Sequence, residues 1–66
     1  MENAYGENGM NSMQKAYSTA KDLYAMSLRA GIPSDKAFNR IVARLTRLYP
    51  LISPLRIKEI ATLAML

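Results

Sequence analysis

Four cationic side chains recur at three- and four-residue spacings in the middle of the 66-residue chain: Lys36, Arg40, Arg44 and Arg47. At about 100° per residue, this spacing places them within roughly 80° of one another on one helix. After Asp35 the segment holds no acidic residue, whereas a helix built only for solubility usually mixes Glu with Lys or Arg. The pattern therefore favours binding of a polyanion. The apolar residues of the segment are predicted to take the opposite, buried face: Phe38, Ile41, Val42, Leu45 and Leu48.

The charge balance of the whole chain has the same sign as this row. Nine Lys and Arg stand against five Asp and Glu, a net charge of +4. Glu2 and Glu7 lie near the N-terminus, so the chain from Met13 onward carries nine cations against three acids, a net +6. Such a balance attracts nucleic acid, an acidic protein surface or anionic lipid. The alternative interpretation is that the charge serves solubility alone.

The residue types argue against catalysis and metal binding. The chain has no His for proton transfer near neutral pH and no Cys as nucleophile or soft metal ligand. Asp22 is expected to be solvated, Asp35 to favour a helix N-terminus, and Glu59 to pair with Arg56 on the surface. We therefore predict that the protein is not an enzyme and has no catalytic residue, no metal site and no cofactor.

Three helices are predicted, over about 12–30, 34–49 and 53–66, and no segment is predicted to be a strand. Gly31 stands where a helix often ends in a left-handed residue, and Pro50 ends the second helix. Ser34 is a candidate N-cap, and the pair Ser53-Pro54 is a strong helix start. Residues 1–12 have no apolar periodicity and are predicted to be a flexible tail before a single three-helix domain over 13–66.

The third helix is predicted to hold two copies of the chain together. Below about 70–80 residues a single core contributes only a few kcal/mol, and without disulfides or metals oligomerisation is the remaining support. Ile57, Ile60, Ala61 and Ala64 form one face, but further apolar residues surround most of the helix, which requires cover on more than one side. A homodimer is expected. Its predicted interface, or the interface with a partner protein, comprises Leu55, Ile60, Leu63, Met65 and Leu66.

The first two helices resemble a helix-turn-helix, in which a short Gly-containing turn joins a supporting helix to a recognition helix. Ser27 is small where the helices should cross, Gly31 lies in the turn and Ile32 can tuck beneath it. Phe38 and Ile41 would anchor the second helix, one residue further from Gly31 than in the common pattern. The resemblance implies binding in the major groove of double-stranded DNA. The implied contact residues are Ser34, Lys36, Asn39, Arg40, Arg44 and Arg47, with Asn39 and Arg40 as base readers.

The sequence thus predicts a small, all-α, non-enzymatic DNA-binding regulator, of the transcriptional or phage and plasmid type. The alternative is an adaptor or anti-regulator that binds a partner protein through its apolar C-terminal helix, with the cations facing an acidic patch. A membrane partner is not expected, because the second helix lacks Trp and needs its apolar face for the core. No signal-peptide pattern and no apolar run of roughly 20 residues is present, so a cytoplasmic location is expected.

Overall fold

The protein is a three-helix domain. The computed structural model describes the backbone of residues 4–66 and the side chains of residues 12–66. Its helices are α1 (Ala4–Arg29), α2 (Ser34–Leu48) and α3 (Pro54–Ala64), and the described backbone contains no strand. Each helix packs against the other two. The predicted all-α, three-helix architecture is confirmed.

Helix α1 begins earlier than the sequence predicted. The expected start was Ser12, but the helix runs from Ala4, about two turns sooner. Gly6 and Gly9 were the reason for predicting a tail, since each Gly costs up to about 1 kcal/mol in a helix interior. The helix continues through both glycines. The helix therefore includes residues 4–12, which corrects its predicted start, and residues 1–3 lie outside the described chain.

The turn between α1 and α2 is built around Gly31. This residue has φ +72°, the left-handed conformation expected from the sequence. The amide of Gly31 donates to the carbonyl of Leu28 (3.1 Å), and the amide of Ile32 donates to the carbonyl of Ser27 (2.9 Å). These two bonds form a Schellman motif, which satisfies the last carbonyls of α1 and reverses the chain. The start of α2 is therefore set by hydrogen bonds as well as by packing.

The two predicted N-caps behave differently. The Ser53 hydroxyl accepts a hydrogen bond from the amide of Arg56 (3.3 Å), and Pro54 occupies the first turn of α3, as predicted. The prediction for Ser34 is wrong: α2 already includes Ser34, and the N-cap position is Pro33, which offers no side-chain acceptor. The reason is the extended conformation of Pro33 (φ −59°, ψ 151°), which lets its carbonyl accept the first helical hydrogen bond from Ala37 (2.9 Å).

The core is formed where the three helices meet, and small residues allow the close approach. Alanines on α1 and α3 face the larger Ile41 and Leu45 of α2 and are fully or almost fully buried. Leu48, predicted to be buried, is 50% exposed, because it lies at the last position of α2, beyond the row that packs inward. Ala37 is buried in its place, one turn before Ile41. The core cluster comprises Ala16, Ala20, Ile41, Leu45, Ile57, Ile60, Ala61 and Ala64.

Tyr49 closes the core at the end of α2, as the sequence suggested. Its ring packs against the core cluster, and its hydroxyl is 3.3 Å from the hydroxyl of Thr19 on α1. This hydrogen bond joins positions thirty residues apart. The C-terminal end of α2 is therefore attached to α1 just as its N-terminal end is attached through the Gly31 turn.

Candidate nucleic-acid interface

The cationic row of α2 is open to solvent along its whole length. Lys36, Arg40, Arg44 and Arg47 are all exposed. Among the side chains of residues 12–66, the one ion pair is between Arg56 and Glu59, at 3.1 Å on α3, as predicted. The row therefore keeps its charge available to an external anion. From Lys36 to Arg47 it spans about 16 Å of helix axis.

The row lies on the solvent side of α2, away from the residues that pack inward. The fully buried residues Ala37, Ile41 and Leu45 are joined on the inward face by Phe38 and Val42, which pack against the core. At about 100° per residue, these five residues centre well over 90° from the centre of the cationic row.

With the exception of Leu48, the structure agrees with the predicted division of α2 into an inward apolar face and an outward cationic one. Ala43 and Thr46 are small, and the Thr46 hydroxyl already donates to the carbonyl of Val42 (2.8 Å).

Three of the predicted contact residues surround a shallow hollow at the start of α2. Lys36, Asn39 and Arg40 line it together with the turn residues Gly31 and Pro33. The hollow lies beside the first turn of a 15-residue helix, whose orphan backbone amides carry partial positive charge. Two cations, an amide and a helix N-terminus therefore face one concave surface. Ser34 is also exposed in this first turn, where it has no capping role.

Arg40 also borders a second, more enclosed cleft between α1 and α2. The cleft is lined by apolar side chains of α1 and by Ser27, which is only 6% exposed. The small Ser27 side chain at this contact is consistent with the predicted helix crossing. Arg40 is itself exposed, and it lines both the hollow and this cleft. The sequence did not reveal this position, because it depends on how α1 passes α2.

The predicted α3 interface is divided between core and surface. Leu55, Leu63 and Leu66 are 72%, 56% and 95% exposed. Ile60 is only 5% exposed and belongs to the core of the domain, and Met65 packs against that core. Ile60 is therefore not available to a partner, because α3 turns it inward with Ile57. Leu55, Leu63 and Leu66 remain exposed as an apolar surface on and just after α3.

Other classes of site find little support in the described chain. Within residues 12–66, no three Asp, Glu, His or Cys side chains come together as a metal site would require. None of the three described helices is both long enough and apolar enough to cross a lipid bilayer. Comparison with protein-family models, with curated proteins and with solved structures found no match to this chain. The proposal of a function therefore depends on the surfaces themselves.

Proposed function

We propose that this protein is a small, non-enzymatic regulator that binds double-stranded DNA through α2 and acts in the cytoplasm. The observation that carries the proposal is the row of four exposed cations on a helix held at both ends. The described side chains provide no ion pair to any member of the row. A polyanion with regularly spaced phosphates is the ligand that such a row fits best, since each contact releases condensed counterions from the DNA.

The residues divide between backbone contacts and base contacts. The flank formed by Lys36, Arg44 and Arg47 faces phosphates, which position the helix but carry little sequence information. Asn39 and Arg40 read base edges, because an amide suits adenine and a guanidinium suits guanine in the major groove. The exposed Ser34 and the N-terminus of α2 receive a phosphate oxygen.

The connection of α1 to α2 supports the likeness to a helix-turn-helix. The turn is short, contains a left-handed Gly31 and brings the small, buried Ser27 to the contact between the helices. In that motif the second helix enters the major groove and dimers bind two half-sites. A homodimer through α3 completes the proposal, and Leu55, Leu63 and Leu66 are its exposed apolar residues.

The proposal is tested by a mobility shift with random-sequence duplex DNA over a range of salt. On random-sequence DNA Arg40 has no matched base to read and contacts phosphate like the other three cations, so four neutralised phosphates give a slope of log Kobs against log [salt] of about −3.6, a loss of about 150-fold in affinity between 50 and 200 mM salt. The double variant Arg40→Ala/Arg44→Ala should halve that slope. The matched control, Lys15→Ala/Lys21→Ala, removes two exposed cations from α1 and should change the slope far less. Equal effects of the two double variants, or no binding at low salt, would contradict the proposal.

A protein-binding adaptor is the second candidate function, and the exposed leucines of α3 favour it. In this alternative α3 is placed in an apolar groove of another protein, and the cations of α2 accelerate the encounter with an acidic patch. The change Leu63→Glu distinguishes the two functions. It abolishes partner binding if α3 is the functional surface, but leaves each folded monomer able to bind DNA if α2 is.

A further inference from the structure

The cleft between α1 and α2 contains a buried hydroxyl that no described group pairs. Ser27 lines this cleft and is only 6% exposed. The hydroxyls of Thr46 and Thr62 each donate to the carbonyl four residues earlier in their own helix. Within residues 12–66, no hydrogen bond of this or any other kind involves the Ser27 hydroxyl. Since buried polar side chains nearly always have a partner, an unpaired one in a cleft indicates that a bound molecule supplies it.

The remainder of the cleft is apolar except for one cation. Its volume is about 150 Å³, and an engineered protein cavity of about this size holds benzene. Among the described residues that line it, Arg40 is the one charged side chain. A concave surface that is mostly apolar, with a few polar groups, is typical of a small-molecule site. The apolar lining comprises Leu23, Met26, Ala30 and Ile32.

The two polar side chains of the cleft suit a carboxylate. The guanidinium of Arg40 presents its N–H donors in a planar fork that matches the two oxygens of a carboxylate, and the Ser27 hydroxyl is a further donor. A carboxylate carries one negative charge, which one arginine neutralises. Water alone would pair the hydroxyl but would leave the apolar lining wet, whereas a ligand with an apolar body covers that lining as well.

We propose that this cleft binds a small carboxylate with a compact apolar body, of about the size of benzoate. The carboxylate pairs with Arg40 and accepts a hydrogen bond from Ser27, and the apolar body covers the apolar lining. The hollow at the start of α2 shares Ile32 and Arg40 with the cleft, and Lys36 in that hollow adds a second positive charge that attracts the anion. The site shares Arg40 with the proposed DNA surface, but its existence does not depend on DNA binding.

A titration of the isotope-labelled full chain with sodium benzoate, followed by the backbone amide signals in heteronuclear NMR at constant ionic strength, tests the proposal. Saturable shifts should be largest for residues that line the cleft, with a dissociation constant of about a millimolar for so small a ligand. Benzyl alcohol keeps the ring without the charge, and acetate keeps the charge without the ring. Each should bind about tenfold more weakly than benzoate, because each satisfies only one part of the site.

Substitutions of the two cations distinguish a specific site from general attraction of anions. Arg40→Gln should weaken benzoate binding about tenfold, because it removes the charge-assisted hydrogen bonds to the carboxylate. The matched control is Arg44→Gln, which removes an exposed cation of the same row that lines neither the cleft nor the hollow. It should leave the dissociation constant nearly unchanged.

Ser27→Ala separates a role in ligand binding from a role in the fold. The variant should bind benzoate about threefold or more weakly, through loss of one hydrogen bond to the carboxylate. Its midpoint of thermal unfolding without ligand should be unchanged or higher, because an unpaired buried hydroxyl does not stabilise the folded chain. A lower midpoint would mean that the hydroxyl is paired within the protein and would overturn the proposal.

Three further results would overturn the proposal. The first is the absence of saturable shifts at the cleft when benzoate is about twentyfold above the expected dissociation constant. The second is equal affinity for benzoate and benzyl alcohol, and the third is an equal effect of Arg40→Gln and Arg44→Gln. Because the titration contains no DNA, its outcome is separate from that of the mobility shift.

Discussion

Replacement of Gly31 by Ala should lower the stability of the domain by about 1 kcal/mol. The cause is the backbone alone: at φ +72° a Cβ is disfavoured by about 1–2 kcal/mol, while a Cβ built there meets no atom within 4 Å. Replacement of the flexible Gly also reduces the conformational entropy of the unfolded chain, which offsets about 0.4–1 kcal/mol of this destabilisation. The net loss should shift the midpoint of thermal unfolding by about 4–8 °C in a domain of this size.

Thermal and urea unfolding, followed by circular dichroism at one fixed protein concentration, measure this effect. Gly31→Asn is the matched variant, because Asn tolerates the left-handed region better than Ala does. Its free energy of unfolding should lie between that of the unmodified protein and that of Gly31→Ala. The reasoning is refuted if Ala is as stable as Gly, since residue 31 would then not require a positive φ. A loss above about 3 kcal/mol would also refute it, because only a steric clash explains so large a change.

Two matched pairs test the packing and the helix ends. Leu45→Ala should lower the free energy of unfolding by about 2–5 kcal/mol because Leu45 is fully buried, and such a loss would unfold much of so small a domain. Leu48→Ala should lower it by less than about 1 kcal/mol, because Leu48 is half exposed. Urea unfolding compares the two variants, and equal losses would contradict the assignment of Leu48 to the surface. Ser53→Ala should lower the free energy of unfolding by about 1 kcal/mol through loss of its N-cap hydrogen bond, whereas Ser34→Ala should leave it nearly unchanged. A larger loss for Ser34→Ala than for Ser53→Ala would mean that Ser34 is the residue that caps its helix.

Local signals in the sequence were sufficient to predict the helix ends that depend on single residues. Gly31 ends α1 because a residue without a Cβ adopts the left-handed conformation at no steric cost, and Ser53-Pro54 begins α3 because both residues suit a helix start. The cationic row of α2 was equally visible, because exposure follows from charge and spacing when the neighbouring row is apolar. These features depend on residues only a few positions apart.

The features that the sequence did not predict depend on other helices. Ile60 and Leu63 are both apolar members of α3, and only the position of α1 and α2 decides that Ile60 is buried and Leu63 is exposed. Leu48 has the right spacing for the core, yet α2 ends there and the core does not extend to it. The early start of α1 shows the same limit of local rules, because two glycines weaken a helix without preventing it.

The burial of Ile60 strengthens the case for two separate functional surfaces. If Ile60 had been exposed, α3 would have been an apolar helix that merely lacked cover, and any apolar partner would have served. With Ile57 and Ile60 in the core, the remaining outer face has a definite composition, leucines around Lys58 and Glu59. The core also takes one face of α2 and leaves the cationic row in solvent. In the proposed dimer, self-association through α3 would use none of the residues that we propose to contact DNA, and each dimer would present two cationic rows to one duplex.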